Sequence, residues 1–302
     1  MSTEVGIFGY LSLDTLTYKG QIFYDVPGGG ALYASLAALV NGRTPILNAC
    51  VGSDFPESVL VKMKDMGVNL NSIKYSNIPS RRASLKYING NETKSAHYSE
   101  KEWWDRTEAL RPPLTNISFE TVVLAPMPVD HAKKILSSMG PNTIKVLDTS
   151  EIFALNNTVS IIELLTEIDY FTPSIAETRI LMPGYGDDEA AIKLAQMGTC
   201  VIQKRGSQGL IRASKAKIEQ RQKSHSREII DPTGAGDSFA GGFMGYLSTV
   251  ENLTEQNYKE ACITGTAMAS FCIEEFGLTR LLNLSQNDIK ERKNLLMSQI
   301  KF

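Results

Sequence analysis

The chain has 302 residues, 42% hydrophobic and 21% charged, with a formal net charge of −2. That composition supports a sizeable buried core and argues against disorder, and a near-neutral charge without a block of one sign points away from nucleic acid and membrane surfaces. No run of ~18 apolar residues occurs, and MSTEVGIFGYLSLD is too polar for a signal peptide, so a cytoplasmic location is expected.

In chain order, EVGIFGYL reads as a strand. Leu16 to Val26 (LTYKGQIFYDV) then alternates apolar and polar residues. ALYASLAALVNG has helical spacing and stops at Gly42; ILNACVG is a strand; FPESVLVKMKDMG is a helix with Pro56 near its start and Gly67 at its end. Arg82 to Ser99 alternates again, with Asn89-Gly90 as a hairpin signal. TVVLA, TIKVLD, IDYFTPS and TCVIQKR are strands, interleaved with the helices VDHAKKILSSMG and DDEAAIKLAQMG. Continuous apolar strands alternating with amphipathic helices predict a doubly wound, mostly parallel α/β sheet with helices on both faces. The two alternating segments, about 16–26 and 82–99, lack following helices and predict a small antiparallel β lid within a single domain spanning 1–302. The Trp103-Trp104 pair in EKEWWDR reads as a packed surface loop. Cys50, Cys200, Cys262 and Cys272 lie far apart and read as reduced thiols. His97, His131 and His225 lack zinc-ligand spacing.

The stretch DPTGAGDSFAGGFMGYL, Asp231 to Leu247, carries the chemistry. Arg227 to Ile230 reads as the end of a strand. Pro232 and Gly234-Ala235-Gly236 then force a turn, and Phe239, Phe243, Leu247 and Val250 recur at helical spacing. Asp237 therefore falls in the first turn of a helix. The amides of Gly234, Ala235 and Gly236, with the positive helix end, would form an anion site. A lone Asp there could be only a favourable helix charge, worth about 0.3–1 kcal/mol. But Gly241, Gly242 and Gly245 follow, each costing roughly 1 kcal/mol against Ala, which implies very close packing against other backbone. A carboxylate beside an anion hole suits phosphoryl transfer to an alcohol: the Asp takes the hydroxyl proton and the amides hold the transferred charge.

This run resembles the C-terminal signature of the PfkB/ribokinase family of carbohydrate kinases, D-[TP]-T-G-A-G-D-x-F, without departure over about fourteen positions, and no GxxxxGK[ST] loop is present. The resemblance implies a ribokinase-like fold, ATP and Mg²⁺ as cofactors, a small-molecule acceptor, and in some relatives a monovalent cation such as K⁺, which Asp231 would help fix. It implies that Asp237 is the base, with Gly234, Ala235 and Gly236 as the anion hole. Asp14 in GYLSLDTL would bind acceptor hydroxyls, although it also suits a turn. Gly29 and Gly30 of PGGGALYASL would meet the acceptor. Where the family commonly has Asn a few residues on, this chain has Tyr33 or Leu32. SIAE matches the family's N-x-x-E with Ser174 in place of Asn, so that Glu177 would order magnesium-bound water; alone, Ser-x-x-Glu is also a helix capping box. In VIQKRGSQGLI, Gly206 and Gly209 fit the nucleotide loop and Lys204 would face the phosphates, while a plain hairpin turn fits equally. In ACITGTAMASFCIEEFG, Thr266, Ala269 and Phe271 would neighbour adenine, or simply pack. Pro126 and Met127 stand where ribokinase-like members often carry Glu.

The expected activity is ATP-dependent phosphoryl transfer to a hydroxyl of a sugar. The alternatives are a nucleoside, inositol or vitamin-precursor kinase of the same fold, or an inactive scaffold. A homodimer through the lid is a further expectation.

Overall fold

The computed structural model describes residues 4–88, 91–95, 100–115, 117–215, 217–225 and 228–298. The first third contains β1 (Glu4–Phe8), β2 (Ser12–Tyr18), β3 (Gln21–Gly28), α1 (Gly30–Ala38), β4 (Thr44–Asn48), β5 (Cys50–Val51), α2 (Glu57–Asp65), β6 (Lys74–Tyr75), β7 (Ser84–Ile88) and β8 (Asn91–Ser95). The middle contains α3 (Glu100–Ala109), β9 (Thr121–Leu124), α4 (Val129–Leu136), β10 (Ile144–Leu147), α5 (Glu151–Leu164), β11 (Tyr170–Phe171), α6 (Ile175–Leu181), α7 (Asp187–Ala195) and β12 (Cys200–Lys204). The remainder contains β13 (Leu210–Ser214), β14 (Lys217–Gln222), α8 (Ala235–Leu247), α9 (Glu255–Cys272) and α10 (Gln286–Ser298).

Eight strands form one sheet in the order β14-β13-β12-β11-β10-β9-β1-β4. From β12 to β4 every pairing is parallel; β13 and β14 close one edge antiparallel. Because side chains alternate along a strand, the sheet feeds two cores. Val5, Ile7, Val123 and Val146 pack with residues of α1, α2, α8 and α9, while Phe8, Val122, Leu124 and Leu147 pack with residues of α4, α5 and α7. The doubly wound expectation holds, and the continuous apolar strands are buried on both faces. No described helix is long and apolar enough to cross a membrane.

The helix glycines have a physical cause. A Cβ on Gly241 would lie 2.2 Å from the Ala34 carbonyl oxygen, and one on Gly245 2.9 Å from that of Ala38. A Cβ on Gly242 would meet the Met268 side chain at 2.8 Å. So α8 is pressed between α1 and α9, and its N-terminus is fixed beside the N-terminus of α1.

The two alternating segments share one smaller sheet, ordered β3-β2-β7-β8. β2 and β3 pair antiparallel across Lys19-Gly20, both at positive φ (49° and 82°), as a two-residue type I′ connection requires. β7 and β8 also pair antiparallel; Asn89-Gly90 and residues 96–99 of the expected second segment lie outside the described residues. The central β2–β7 pairing is parallel, because the long connection through α1, β4 and α2 brings the chain back in the same direction. Leu16 and Leu85 form a small core beneath, where the Phe23 ring stacks on Phe276 at 4.6 Å.

Three local readings differ from the structure. Trp103 and Trp104 lie in α3 rather than in a loop. Glu228 to Ile230 form no strand: the Ile230 N–H bonds the Ile273 carbonyl at 2.9 Å, and Pro232, with no N–H, follows at once; Arg227 is outside the described residues. The polar-patterned helices α3 and α10, and α5, were not anticipated.

Candidate active site

Travel along the sheet reverses at β1, with β4 on one side and β9 on the other. At such a switch point the crevice beyond the strand C-termini is where ligands bind in open α/β sheets. The strand ends converge there: the Ala125 N–H donates to the Phe8 carbonyl at 2.9 Å. A cavity of about 160 Å³ lies at this place, lined by Ser12, Asp14, Gly29, Gly30, Gly234 and Asp237 among others. Five residues singled out from the sequence thus meet in one pocket, although over two hundred positions separate Asp14 from Asp237.

Asp14 sits on β2 where its register with β3 shifts, and is 5% exposed. Its Oδ2 accepts from Ser12 Oγ at 3.0 Å, and its Oδ1 from the Ala83 N–H at 3.0 Å. Burial pushes the carboxyl up to about 6 against the pull of these two hydrogen bonds. Both small-sheet segments therefore touch the same carboxylate. Gly29, at φ +102°, turns the chain into α1; a Cβ there would lie 2.3 Å from the Tyr10 carbonyl oxygen, so no other residue fits. At Gly30 a Cβ would come within 2.4 Å of Asp237 Oδ1, which places the α1 N-terminus directly against Asp237.

Gly234 caps α8 in the left-handed region at φ +76°, where a Cβ would collide with the buried Tyr33 ring at 2.3 Å. Tyr33 thus forms the floor of the glycine turn. The Ala235 N–H is taken by the Pro232 carbonyl at 3.2 Å, which removes it from the expected trio of anion-hole amides. Those of Gly234 and Gly236 meet no backbone carbonyl among the described residues. Asp231 is fully buried and accepts from the Thr233 N–H at 3.0 Å and the Gly277 N–H at 2.9 Å, pinning the loop to the turn after α9. The Cys272 thiol adds a contact to the Thr233 carbonyl at 3.1 Å.

Three neighbouring parallel strands, β10, β11 and β12, deliver Asp148, Ser174 and Lys204 at or just beyond their C-terminal ends. Lys204 Nζ bonds both Asp148 oxygens at 2.9 Å, and a Cβ on Gly236 would lie 2.8 Å from that Nζ. Burial opposes the lysine's charge, but Asp148 first, then Glu177 and Asp237, outweigh it and hold its pKa above the ordinary lysine value. Ser174 and Glu177 make a reciprocal capping box, with Ser174 N–H to Glu177 Oε2 at 2.6 Å and Glu177 N–H to Ser174 Oγ at 3.2 Å. Gly206 and Gly209, both at positive φ, form the tight turn between β12 and β13. Thr266 on α9 accepts from Gln222 Nε2 at 2.8 Å, tying α9 to β14. Phe271 is core, with the Arg292 and Arg280 guanidinium carbons 4.1 and 5.1 Å from its ring centroid.

Sequence reasoning missed Asp148 and Trp103 as site residues. Asp148 had a readable signal, a carboxylate directly after an apolar strand, as in GYLSLD. Trp103 and Arg81 line the pocket, and the Arg81 guanidinium carbon lies 4.0 Å from the Tyr10 ring centroid and 4.6 Å from that of Trp103. No group of three or more His, Cys, Asp or Glu side chains among the described residues could by itself hold a metal ion.

The model of the pfkB family carbohydrate kinases matches residues 10–283. A cytidine kinase of Thermococcus kodakarensis is 22% identical over 256 residues, covering 83% of this chain and 91% of that protein. The crystal structure of a Methanocaldococcus jannaschii nucleoside kinase, an archaeal member of the ribokinase family, superposes with a TM-score of 0.75 at 19% identity, covering 97% of this chain and 98% of that one. An Escherichia coli putative ribokinase II in complex with ATP and Mg²⁺ superposes with a TM-score of 0.69 at 19% identity, covering 98% and 100%. The structural likenesses show the shared fold.

Proposed function

This chain belongs to the pfkB family of carbohydrate kinases, ATP-dependent phosphotransferases, and from that premise we propose how its own residues bring about transfer to a small-molecule hydroxyl. Asp14, Gly29 and Gly30 hold the acceptor, with the Asp14 carboxylate receiving its hydroxyl hydrogens. Asp237 takes the proton from the attacking hydroxyl; that oxygen bonds the γ-phosphorus and ADP leaves with the electrons of the broken P–O bond. The Gly234 and Gly236 amides, at the positive end of α8, hold charge on the transferred group. Lys204 faces the phosphates, while Ser174, Gly206, Gly209 and Thr266 shape the nucleotide side.

The donor set fits magnesium carried in with ATP. Three carboxylates, Asp148, Glu177 and Asp237, act on one lysine, leaving a local negative surplus. Mg²⁺ typically keeps several waters and uses one or two carboxylates plus substrate phosphates. Glu177 and Asp148 would hold it through water, and it would supply charge neutralisation at the phosphate oxygens. Asp231, buried and bonded to two loop amides, is the residue we assign to a monovalent cation such as K⁺.

The single observation that carries this reading is the meeting of Asp14 and Asp237 in one pocket at the N-termini of α1 and α8. It favours an active enzyme over an inactive scaffold. A sugar is the first acceptor class to test, with nucleosides, inositols and vitamin precursors as alternatives. We place the protein in the cytoplasm as one kinase unit over 1–302, its four cysteines free. We assign a homodimer contact to the small sheet, whose edge strand β3 exposes Ile22 and Tyr24; light scattering reads the mass directly. The deciding assay is acceptor-dependent ADP release with a panel of sugars, nucleosides and inositols. Turnover with one class supports the reading; ATP binding without any acceptor-dependent release contradicts it.

A further inference from the structure

Resting on the kinase reading above, we propose that the acceptor carries an oxyanion and that Arg81 reads it. Arg81 is clamped beside the acceptor carboxylate: the Leu13 N–H donates to its carbonyl at 2.8 Å, and Ser12 and Arg81 form a parallel bridge. Its guanidinium lies against two rings, Tyr10 at 4.0 Å and Trp103 at 4.6 Å. Stacking fixes the plane of the fork, something a lysine ammonium in the same place could not offer. The neighbouring Arg82 is committed to the rim, ion-paired with Asp54 at 2.7 Å and with Asp25.

The rest of the pocket says what the ligand must bring. Among the described pocket residues, Ser12 Oγ already donates to Asp14, and Tyr33 presents a ring. Asp14 offers the acceptor hydroxyls a carboxylate. The pocket's other strong group, the Arg81 guanidinium, has donors and no acceptor, so it matches a group that only accepts. A carboxylate and a phosphate both present such an accepting group, and the test below distinguishes them.

The test uses the full chain and matched acceptors: neutral aldoses and ketoses, the aldonic and uronic acids of the same carbon skeletons, the corresponding sugar phosphates, and nucleosides. ADP release and ligand-induced melting shifts are measured for wild type, Arg81→Gln and Arg81→Lys. An acid should exceed its neutral partner at least ~10-fold in kcat/KM, and Arg81→Gln should erase that preference by raising KM with kcat nearly held. Arg81→Gln should also abolish the acid-induced melting shift while keeping the ATP-induced one, and Arg81→Lys should recover only part of the preference. If sugar phosphates alone show this Arg81 dependence, the oxyanion is a phosphate and the inference stands. A preference for neutral acceptors, an acid-to-neutral ratio unchanged in Arg81→Gln, or no melting shift from any oxyanion overturns the inference. Should Arg81→Gln fail to fold, the wild-type discrimination and Arg81→Lys decide. Arg81-dependent acid binding without ADP release would leave the inference standing and sink the phosphotransfer reading instead.

Discussion

Replacing Asp14 with Asn should make the fold more stable at pH 8 while weakening acceptor binding. Burial raises this carboxyl from 3.8 to about 6, so between those values the folded protein holds a proton that the unfolded chain has released. Stability from this group is therefore present below about pH 4, falls as pH rises toward 6, and stays lost above. A shift of about 2 units corresponds to roughly 3 kcal/mol, since each unit is worth about 1.4 kcal/mol. Asn keeps the shape and can still accept the Ala83 N–H, and the Ser12 hydroxyl can rotate to accept from the new amide. At pH 8 the variant should melt several degrees higher, on the basis of roughly 2–4 °C per kcal/mol for a large domain. Near pH 5 roughly half of that gain should remain, and by about pH 4 most of it should be gone. Loss of the charge-assisted hydrogen bonds should raise the acceptor KM by roughly 10–150-fold, with KM for ATP nearly constant. Thermal melts of both proteins across pH 5–8, with steady-state kinetics at pH 8, check both halves. A variant less stable than wild type at pH 8, or a stability gap that does not change with pH, would refute the linkage argument.

Further outcomes follow from the same geometry. In wild type the acceptor KM should rise as pH drops through about 6, because protonated Asp14 stops accepting; in Asp14→Asn this profile should be flat. Lys204→Met leaves the buried Asp148 charge without its partner, so it should lose roughly 3–5 kcal/mol in chemical denaturation, and adding Asp148→Asn should restore part of it. Gly30→Ala drives a methyl to within 2.4 Å of Asp237 Oδ1, so kcat should fall at least ~10-fold with the melting temperature changed little; an unchanged kcat would show that Asp237 need not sit there.

The parallel sheet was legible because β9, β10 and β12 are nearly unbroken apolar runs between amphipathic helices. The glycine turn was legible too, since Gly234 and the three glycines inside α8 have no rationale from helix propensity and point to close packing. Asp14 could be tied to Asp237 only through the family resemblance, because nothing local says that the start of β2 and the start of α8 converge. Trp103 was misread because α3, EKEWWDRTEA, is mostly polar and gives a weak helical period. Its partner Arg81 looks in sequence like an ordinary charged residue before a strand. The engagement of the Ala235 amide by Pro232 was invisible for a different reason, since it depends on the turn's backbone geometry rather than on residue type. Likewise, Ser174-x-x-Glu177 reads as a capping box, and it is one; only the three-dimensional neighbourhood of Lys204 gives that carboxylate a second context.

The central claim is that Asp237 removes the acceptor's proton in a pocket shared with Asp14. Asp237→Asn, assayed for ADP release with the acceptor that wild type prefers and for ATP binding by calorimetry, tests it most directly. Turnover should fall about 10²–10⁴-fold while the Kd for ATP stays nearly constant, as loss of a general base requires. A variant that keeps more than roughly a tenth of wild-type turnover, against that expected loss, would contradict the account.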